Sequence, residues 1–200
     1  MRILSTLNKS KIPSFACLEF CNSIKKSDRK NFPFLFSDNR SNQTQWLFSR
    51  IALSRLLLKN QRDPRESLKL CFPNKNFSIS HKKNFSVALY LRGDNFQGCG
   101  VDIEVPKKIP IKHWHFFMTP EEILKLNKKS NLKSSYRVSR IWTIKEALLK
   151  SDMNNLGKFL KDYPLEDLMK AQGSFRIKNK KYKYFCFKKR AHYLAMAYSR

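Results

Sequence analysis

The sequence predicts an α+β fold built as two similar halves, each holding helices and a small antiparallel sheet. Three observations carry that expectation. Segments 43–60 and 135–150 show helical periodicity. Short aromatic-rich runs read as strands. And FSISHKKNFSVALYL has a counterpart in YFCFKKRAHYLAMAYS, two aromatic-rich strands flanking a basic loop in each case. The junction falls near 105–110, which assigns residues 1–105 to an N-terminal half and 106–200 to a C-terminal half.

Taken in chain order, residues 1–39 have weak periodicity, with apolar clusters at 12–21 and 32–36, and read as short strands and loops. Leu47, Ile51 and Leu58, with Trp46, Leu53 and Leu57 beside them, predict a helix over 43–60. The segment ending at Pro64 stops it. Residues 77–80 and 86–91 predict a hairpin with a loop over 81–85. A turn at Gly93, Asp94 and Asn95 then leads to a third strand over 99–105. Thr119-Pro120-Glu121-Glu122 is a helix start, with Thr as N-cap, Pro at the first helical position and Glu at the capping-box position. A longer helix follows over 135–150, and strands are predicted over 174–177, 182–188 and 193–198.

Length and composition bound the function. Two hundred residues, 42% of them apolar, can bury a core of one ordinary domain or of two small halves that share one. No apolar run approaches the roughly twenty residues that span a bilayer. The basic start lacks the apolar core and cleavage site of a secretory signal. Cys17, Cys21, Cys71, Cys99 and Cys186 are an odd number without metal-ligand spacing, and read as reduced thiols in a cytoplasmic protein. A formal charge of +26 implies a polyanionic partner: nucleic acid, anionic lipid or an acidic protein. The lysines form scattered pairs rather than one recognition helix or tail, so charge alone leaves the partner class open.

Two short stretches carry the chemistry, GCGVDIE at 98–104 and WTIKEALLK at 142–150. On a strand, Asp102 and Glu104 project from the same face, while Val101, Ile103 and Val105 face the core. Carboxylates so spaced repel one another unless a cation lies between them, and a hard divalent ion such as magnesium answers that need. The competing reading is an exposed strand edge with ordinary surface acids. On the helix, Trp142, Glu146 and Lys150 share a face with Lys145 beside them; the competing reading is a solvated Glu-to-Lys pair. Together the two stretches offer three carboxylates for a metal and two lysines for phosphate oxygens, the equipment for transfer from a pyrophosphate.

The two stretches resemble the paired signature of the 4′-phosphopantetheinyl transferase superfamily, of the surfactin-synthetase-activating, two-half single-chain type: G-x-D-x-E followed by W-x-x-K-E-A-x-x-K, with every fixed position filled. The resemblance covers roughly 69–150. KLCFPNKNFSISH looks like the family's G-K-P and F-N-x-S-H stretch, keeping Lys69, Ser80 and His81, with Leu68 and Leu70 in place of Gly and Pro and Lys82 in place of the usual Ser. HFFMTPEE resembles F-F-S-P-E-E. SRIALSRLL is only loosely similar to the family's arginine-bearing helix, offering Arg50 and Arg55.

The resemblance implies two α+β halves packed as a pseudo-dimer in one chain, with the site at their junction. It implies magnesium-dependent transfer of 4′-phosphopantetheine from coenzyme A to a serine of an acidic apo acyl or peptidyl carrier protein, releasing adenosine 3′,5′-bisphosphate. Asp102, Glu104 and Glu146 would hold the metal. Glu146 would take the serine proton, and Lys150, with Lys145, would stabilise the leaving phosphate. Lys69, Ser80 and His81 would hold the nucleotide end. The chain is then expected to be a cytoplasmic monomer with no membrane or nucleic-acid partner. Steering of the acidic carrier would fall to Lys107, Lys108, Lys112, Lys128 and Lys129. The alternatives are a basic nucleic-acid-binding protein, which would be indifferent to Asp102, and a metal-dependent nuclease using the same acids.

Overall fold

The computed structural model describes residues 13–40, 43–128, 135–189 and 191–200. In chain order the elements are β1 (Ala16–Cys21), α1 (Lys26–Asn31), α2 (Pro33–Phe36), α3 (Thr44–Lys59), α4 (Glu66–Lys69), β2 (Phe77–Lys82), β3 (Phe85–Leu91) and β4 (Gly98–Glu104). Then follow α5 (Pro120–Lys128), α6 (Ser135–Lys150), β5 (Gln172–Ile177), β6 (Lys180–Lys189) and β7 (His192–Ser199), with short 3-10 turns at Ile111–Phe116 and Leu160–Asp162. The fold is α+β with two antiparallel sheets, ordered β1-β3-β2 and β4-β7-β6-β5.

Alternation of side chains along three buried strands stacks these pieces in four layers. Val87, Leu89 and Leu91 of β3 meet Val101 and Ile103 of β4 and Leu194 and Met196 of β7 in a core between the sheets. On its other face β3 presents Ala88 to Ile51, Leu53 and Leu57 of α3. On theirs, β7 presents Ala195 and Ala197 to the core built on α6, with Ile141, Ile144 and Leu148. Each helix therefore covers the outer face of one sheet, and small residues lie where helix meets sheet.

Several boundaries follow local chemistry. Helix α3 ends where Gln61 takes a left-handed φ of 59° and the Arg62 amide donates to the Leu57 carbonyl at 3.0 Å. Helix α5 begins as expected: the Glu122 amide donates to Thr119 Oγ1 at 3.3 Å, and the Thr119 amide donates to Glu122 Oε2 at 2.8 Å. The end of α6 is anchored by Asp152, a fully buried carboxylate. Tyr163 and Tyr182 donate to it at 3.0 and 2.9 Å, and Lys158 and Lys180 pair with it. These partners hold its carboxyl well below the usual range despite burial.

Some expectations are corrected. The cluster at 32–36 is not a strand, because Pro33 at the first helical position starts the short α2. The hairpin loop is not 81–85: His81 pairs with Ser86 and Lys82 with Phe85, leaving Lys83 and Asn84 as the turn. Lys83 has a φ of 52°, which a tight two-residue hairpin favours. The third strand of that sheet is β1, whereas β4 pairs with β7 in the other sheet. Strand β4, placed in the first half by sequence, thus belongs by hydrogen bonding to the sheet of the second. All five cysteines are free, as expected, and Cys71 is exposed. Phe116 and Phe159 are 60% and 62% exposed. No helix of the described residues is long and apolar enough to cross a membrane.

Candidate active site

The glycines before Asp102 explain how the two signature stretches come together. Gly98, Gly100, Asp102 and Glu104 alternate onto the face of β4 that looks at α6. A methyl group at Gly98 would overlap the Ser151 carbonyl, and one at Gly100 would overlap the Ala147 carbonyl. The missing side chains let the backbone of α6 lie directly on the strand. As β4 advances from residue 98 to 100, its neighbour on α6 recedes from 151 to 147, so strand and helix run in opposite directions. Glu146 and Lys150 are thereby carried to the carboxylates that follow the glycines.

Asp102 is the centre of the cluster. Its Oδ1 accepts from Ser80 Oγ at 2.9 Å and from Lys150 Nζ at 2.7 Å. Lys150 also reaches Ser80 Oγ at 3.2 Å and the Val101 carbonyl at 3.3 Å. Asp102 Oδ2 is buried and has no hydrogen-bond partner among the described residues. Two residues on, Lys82 Nζ lies 3.0 Å from Glu104 Oε1 and 2.8 Å from Oε2. Ser78 Oγ accepts from the Val101 amide at 3.0 Å, so Ser78, Ser80 and Lys82 of β2 all engage β4 through their side chains.

Glu146 completes the group. Burial pushes its carboxyl above the usual range; Lys150 opposes the shift, and the neighbouring Asp102 and Glu104 add to it. The three carboxylates lie close enough to act on one another, and Asp102 Oδ2 and Glu104 Oε2 are each buried without a hydrogen bond, which is the oxygen chemistry a hard divalent cation takes. Among the described residues no three His, Cys, Asp or Glu side chains are placed to hold a metal ion as they stand. Asp102 and Glu104 face ammoniums instead.

This arrangement makes Glu146 a liability in the metal-free protein. A carboxyl whose folded value is raised contributes stability below its unfolded value, and that contribution is lost as pH rises through the folded value. Glu146→Gln is therefore expected to raise the melting temperature at pH 7 to 8 in the presence of chelator, on the order of 2–4 °C for a chain of this size. The gain should fade as pH falls below the ordinary carboxylate range, where Glu146 is neutral in both states. Melting curves of both proteins from pH 4 to 8 check this; a Gln variant less stable at pH 8 would show that Glu146 is not crowded by charge.

The other sequence-selected residues divide clearly. His81 lies on β2 rather than in a turn, with Nδ1 3.5 Å from Ser49 Oγ. Partial desolvation against α3, with Lys150 nearby, pushes its imidazole below the usual value, although the side chain stays open to solvent. It lines a cleft of about 570 Å³ with Trp46, Arg50, Ile79 and the start of α3. Ile79 also lines a second cleft of about 260 Å³, which Lys150 and Ser78 border. Arg50 donates to the carbonyls of Ser67 and Leu70 and lies over the Trp46 and Phe72 rings; its Nε is buried without a partner among the described residues. Arg55 is instead committed to Asp28 at 2.5 Å. Lys69 is exposed at the end of α4, with no described bond to the cluster.

Lys145 does not join the cluster. Its side chain is fully buried and pairs with Glu122 Oε2 at 2.6 Å, while Glu122 Oε1 accepts from the Leu165 amide at 2.7 Å. The capping glutamate of α5 thus holds α6 from behind. Nothing in the sequence distinguishes a lysine one residue off the reactive face from one on it. Sequence reasoning also missed the partners that Ser78 and Lys82 find on β4, since these depend on how the two sheets abut.

Comparison with known proteins bears on the same region. A family model, the 4′-phosphopantetheinyl transferase superfamily, matches residues 98–198, which run from the start of β4 to the last residue but one of β7 and include α6. No match to a curated protein was found. The matched half carries Asp102, Glu104, Glu146 and Lys150 in order, and the chain belongs to the 4′-phosphopantetheinyl transferase superfamily.

Proposed function

We propose that this protein transfers the 4′-phosphopantetheine arm of coenzyme A to a serine of an apo acyl or peptidyl carrier protein, with magnesium, releasing adenosine 3′,5′-bisphosphate. The observation that carries the reading is the Asp102 centre. There a buried, unpartnered carboxylate oxygen, two further acids and the Lys150 ammonium meet beside clefts bordered by Lys150 and by His81. Asp102, Glu104 and Glu146 would hold the divalent cation, which would supply charge neutralisation to a pyrophosphate.

The remaining work falls to the chain's own side chains. Glu146, its carboxyl already raised toward the working range of a general base, takes the proton from the attacking serine hydroxyl. The serine oxygen bonds to the phosphorus that carries the pantetheine arm, and the bond from that phosphorus to the bridging oxygen breaks. Adenosine 3′,5′-bisphosphate leaves with that oxygen, its new charge met by Lys150. Ser80 and His81 hold the nucleotide side, with Arg50 and Trp46 lining the cleft beyond, and Lys69, exposed at the end of α4, serves the same nucleotide end. Lys145 acts at one remove, by fixing α6 against Glu122. The halves 1–105 and 106–200 meet in this site, with β4 as the strand that the first half lends to the second sheet.

Incubation with coenzyme A, magnesium and a panel of apo-carriers, read by intact mass, tests the proposal. A gain of one phosphopantetheine that chelator abolishes is the expected result. Cleavage of phosphodiesters without any such gain would favour the nuclease instead. Lys150→Ala separates binding from chemistry. Losing a charge-assisted hydrogen bond costs roughly 1.5–3 kcal/mol, so coenzyme A affinity should fall roughly 10- to 100-fold and turnover with it. Titration showing unchanged affinity and turnover would remove Lys150 from the site. The exposed Lys107, Lys108, Lys112 and Lys128 are the described candidates for steering an acidic carrier; Lys129 lies outside the described residues.

A further inference from the structure

The Lys82–Glu104 pair has no role in the transfer just described, yet it occupies one of the three carboxylates assigned to the cation. Its placement is set by the meeting of β2 and β4. Ser80 reaches Asp102 and Lys82 reaches Glu104, each partner 22 residues further along the chain, so the two strands advance together and each acid faces a side chain of β2. A hydroxyl faces Asp102 and leaves one oxygen open. An ammonium faces Glu104 and lies within 3.0 Å of both oxygens, with its hydrogen bond to Oε1, while Oε2 is buried without a hydrogen bond of its own. The glutamate side chain is 12% exposed and the lysine 33% exposed. The acid is thus held in place, while the ammonium has a way out to solvent.

The charge balance shows what the pair does. Three carboxylates against two ammoniums, Lys82 and Lys150, leave the cluster one negative charge. A divalent cation entering that set meets two positive neighbours and, while both stay in place, overcompensates the acids. A pyrophosphate arriving with it restores balance and offers Lys82 new oxygens. We propose that Lys82 is the internal counter-ion of Glu104, which a divalent cation must displace to use that carboxylate. Lys82 thereby weakens cation binding to the free protein and couples it to the arrival of the pyrophosphate. The inference rests on the cation-assisted reading of the site and concerns how that site is loaded.

The test is Mn²⁺ affinity of the full chain, read by water-proton relaxation without carrier protein and so without turnover. In the absence of coenzyme A, Lys82→Met should bind Mn²⁺ about tenfold more tightly than wild type, the scale of removing one nearby like charge. Lys82→Arg, which keeps the charge, should stay near wild type. In a Glu104→Gln background the Lys82→Met gain should vanish. With coenzyme A present, the gap between wild type and Lys82→Met should narrow, because the lysine has moved to phosphate. An unchanged or weaker Mn²⁺ affinity in Lys82→Met, or a gain that persists without Glu104, overturns the proposal. Asp102→Ala in the same assay separates the two levels. If that variant loses Mn²⁺ while Lys82→Met leaves affinity unmoved, only the counter-ion role falls. If Asp102→Ala binds Mn²⁺ as wild type does, the cation site falls with it.

Discussion

Asp102→Ala is expected to lower transfer on the order of 10³-fold or more while leaving the protein folded. Asp102 supplies the buried, unpartnered oxygen of the cluster, and a metal's stabilisation of a transferring phosphoryl group is worth several kcal/mol, each 1.36 kcal/mol being tenfold in rate. The structural cost is smaller than burial suggests. Removing one partner of a fully buried ion pair costs about 3–5 kcal/mol, because the other charge is stranded. Here the partner is Lys150, one-third exposed, which can turn toward water or toward Glu146. The substitution also removes one of three mutually repelling carboxylates, which offsets part of the lost Ser80 and Lys150 bonds. Circular dichroism and melting should therefore stay near wild type as turnover collapses. Near-normal turnover at saturating magnesium would show that Asp102 is not a metal ligand.

How much of this was legible in the sequence depends on the range of the interaction. The helices α3, α5 and α6 were readable because period, capping and composition act within a few residues: α6 begins and ends at the residues the pattern indicated, and Thr119 and Glu122 form the expected box. That Asp102, Glu104, Glu146 and Lys150 come together was readable from the paired resemblance of the two stretches, since each stretch alone reads equally as surface charge. Strand partners were not. That β1 completes the first sheet and β4 joins β7 depends on contacts between segments up to a hundred residues apart, which no local pattern encodes. Lys145 and Lys82 mark the same limit from opposite sides. Lys145 carries a motif position and is turned to Glu122, whereas Lys82 departs from the motif and pairs with a motif acid.

The glycines of GCGVDIE give the largest expected effect on stability. Gly100→Ala places a methyl group into the Ala147 carbonyl and 2.7 Å from the Ser151 nitrogen, closer than side-chain carbons pack. Both obstructing groups are backbone, of α6 and of the residue that follows it, so no rotamer change relieves the overlap, and helix and strand must part. Overpacking of this kind costs about 3 kcal/mol or somewhat more, a fall in melting temperature of roughly 6–12 °C at this chain length. Activity should suffer beyond stability. Lifting α6 carries Glu146 and Lys150 away from Asp102, and a displacement of about 1 Å in a reacting array costs on the order of 10²-fold in rate. Ala147→Gly provides the discriminating control. If the obstruction were the Ala147 side chain, trimming it would rescue Gly100→Ala; because the obstruction is the carbonyl, the double variant should remain as unstable as the single one or more so. Rescue by Ala147→Gly, or a Gly100→Ala protein that melts with wild type, would mean that α6 does not rest on β4 at these glycines, and the delivery of Glu146 and Lys150 to the acids would need another explanation.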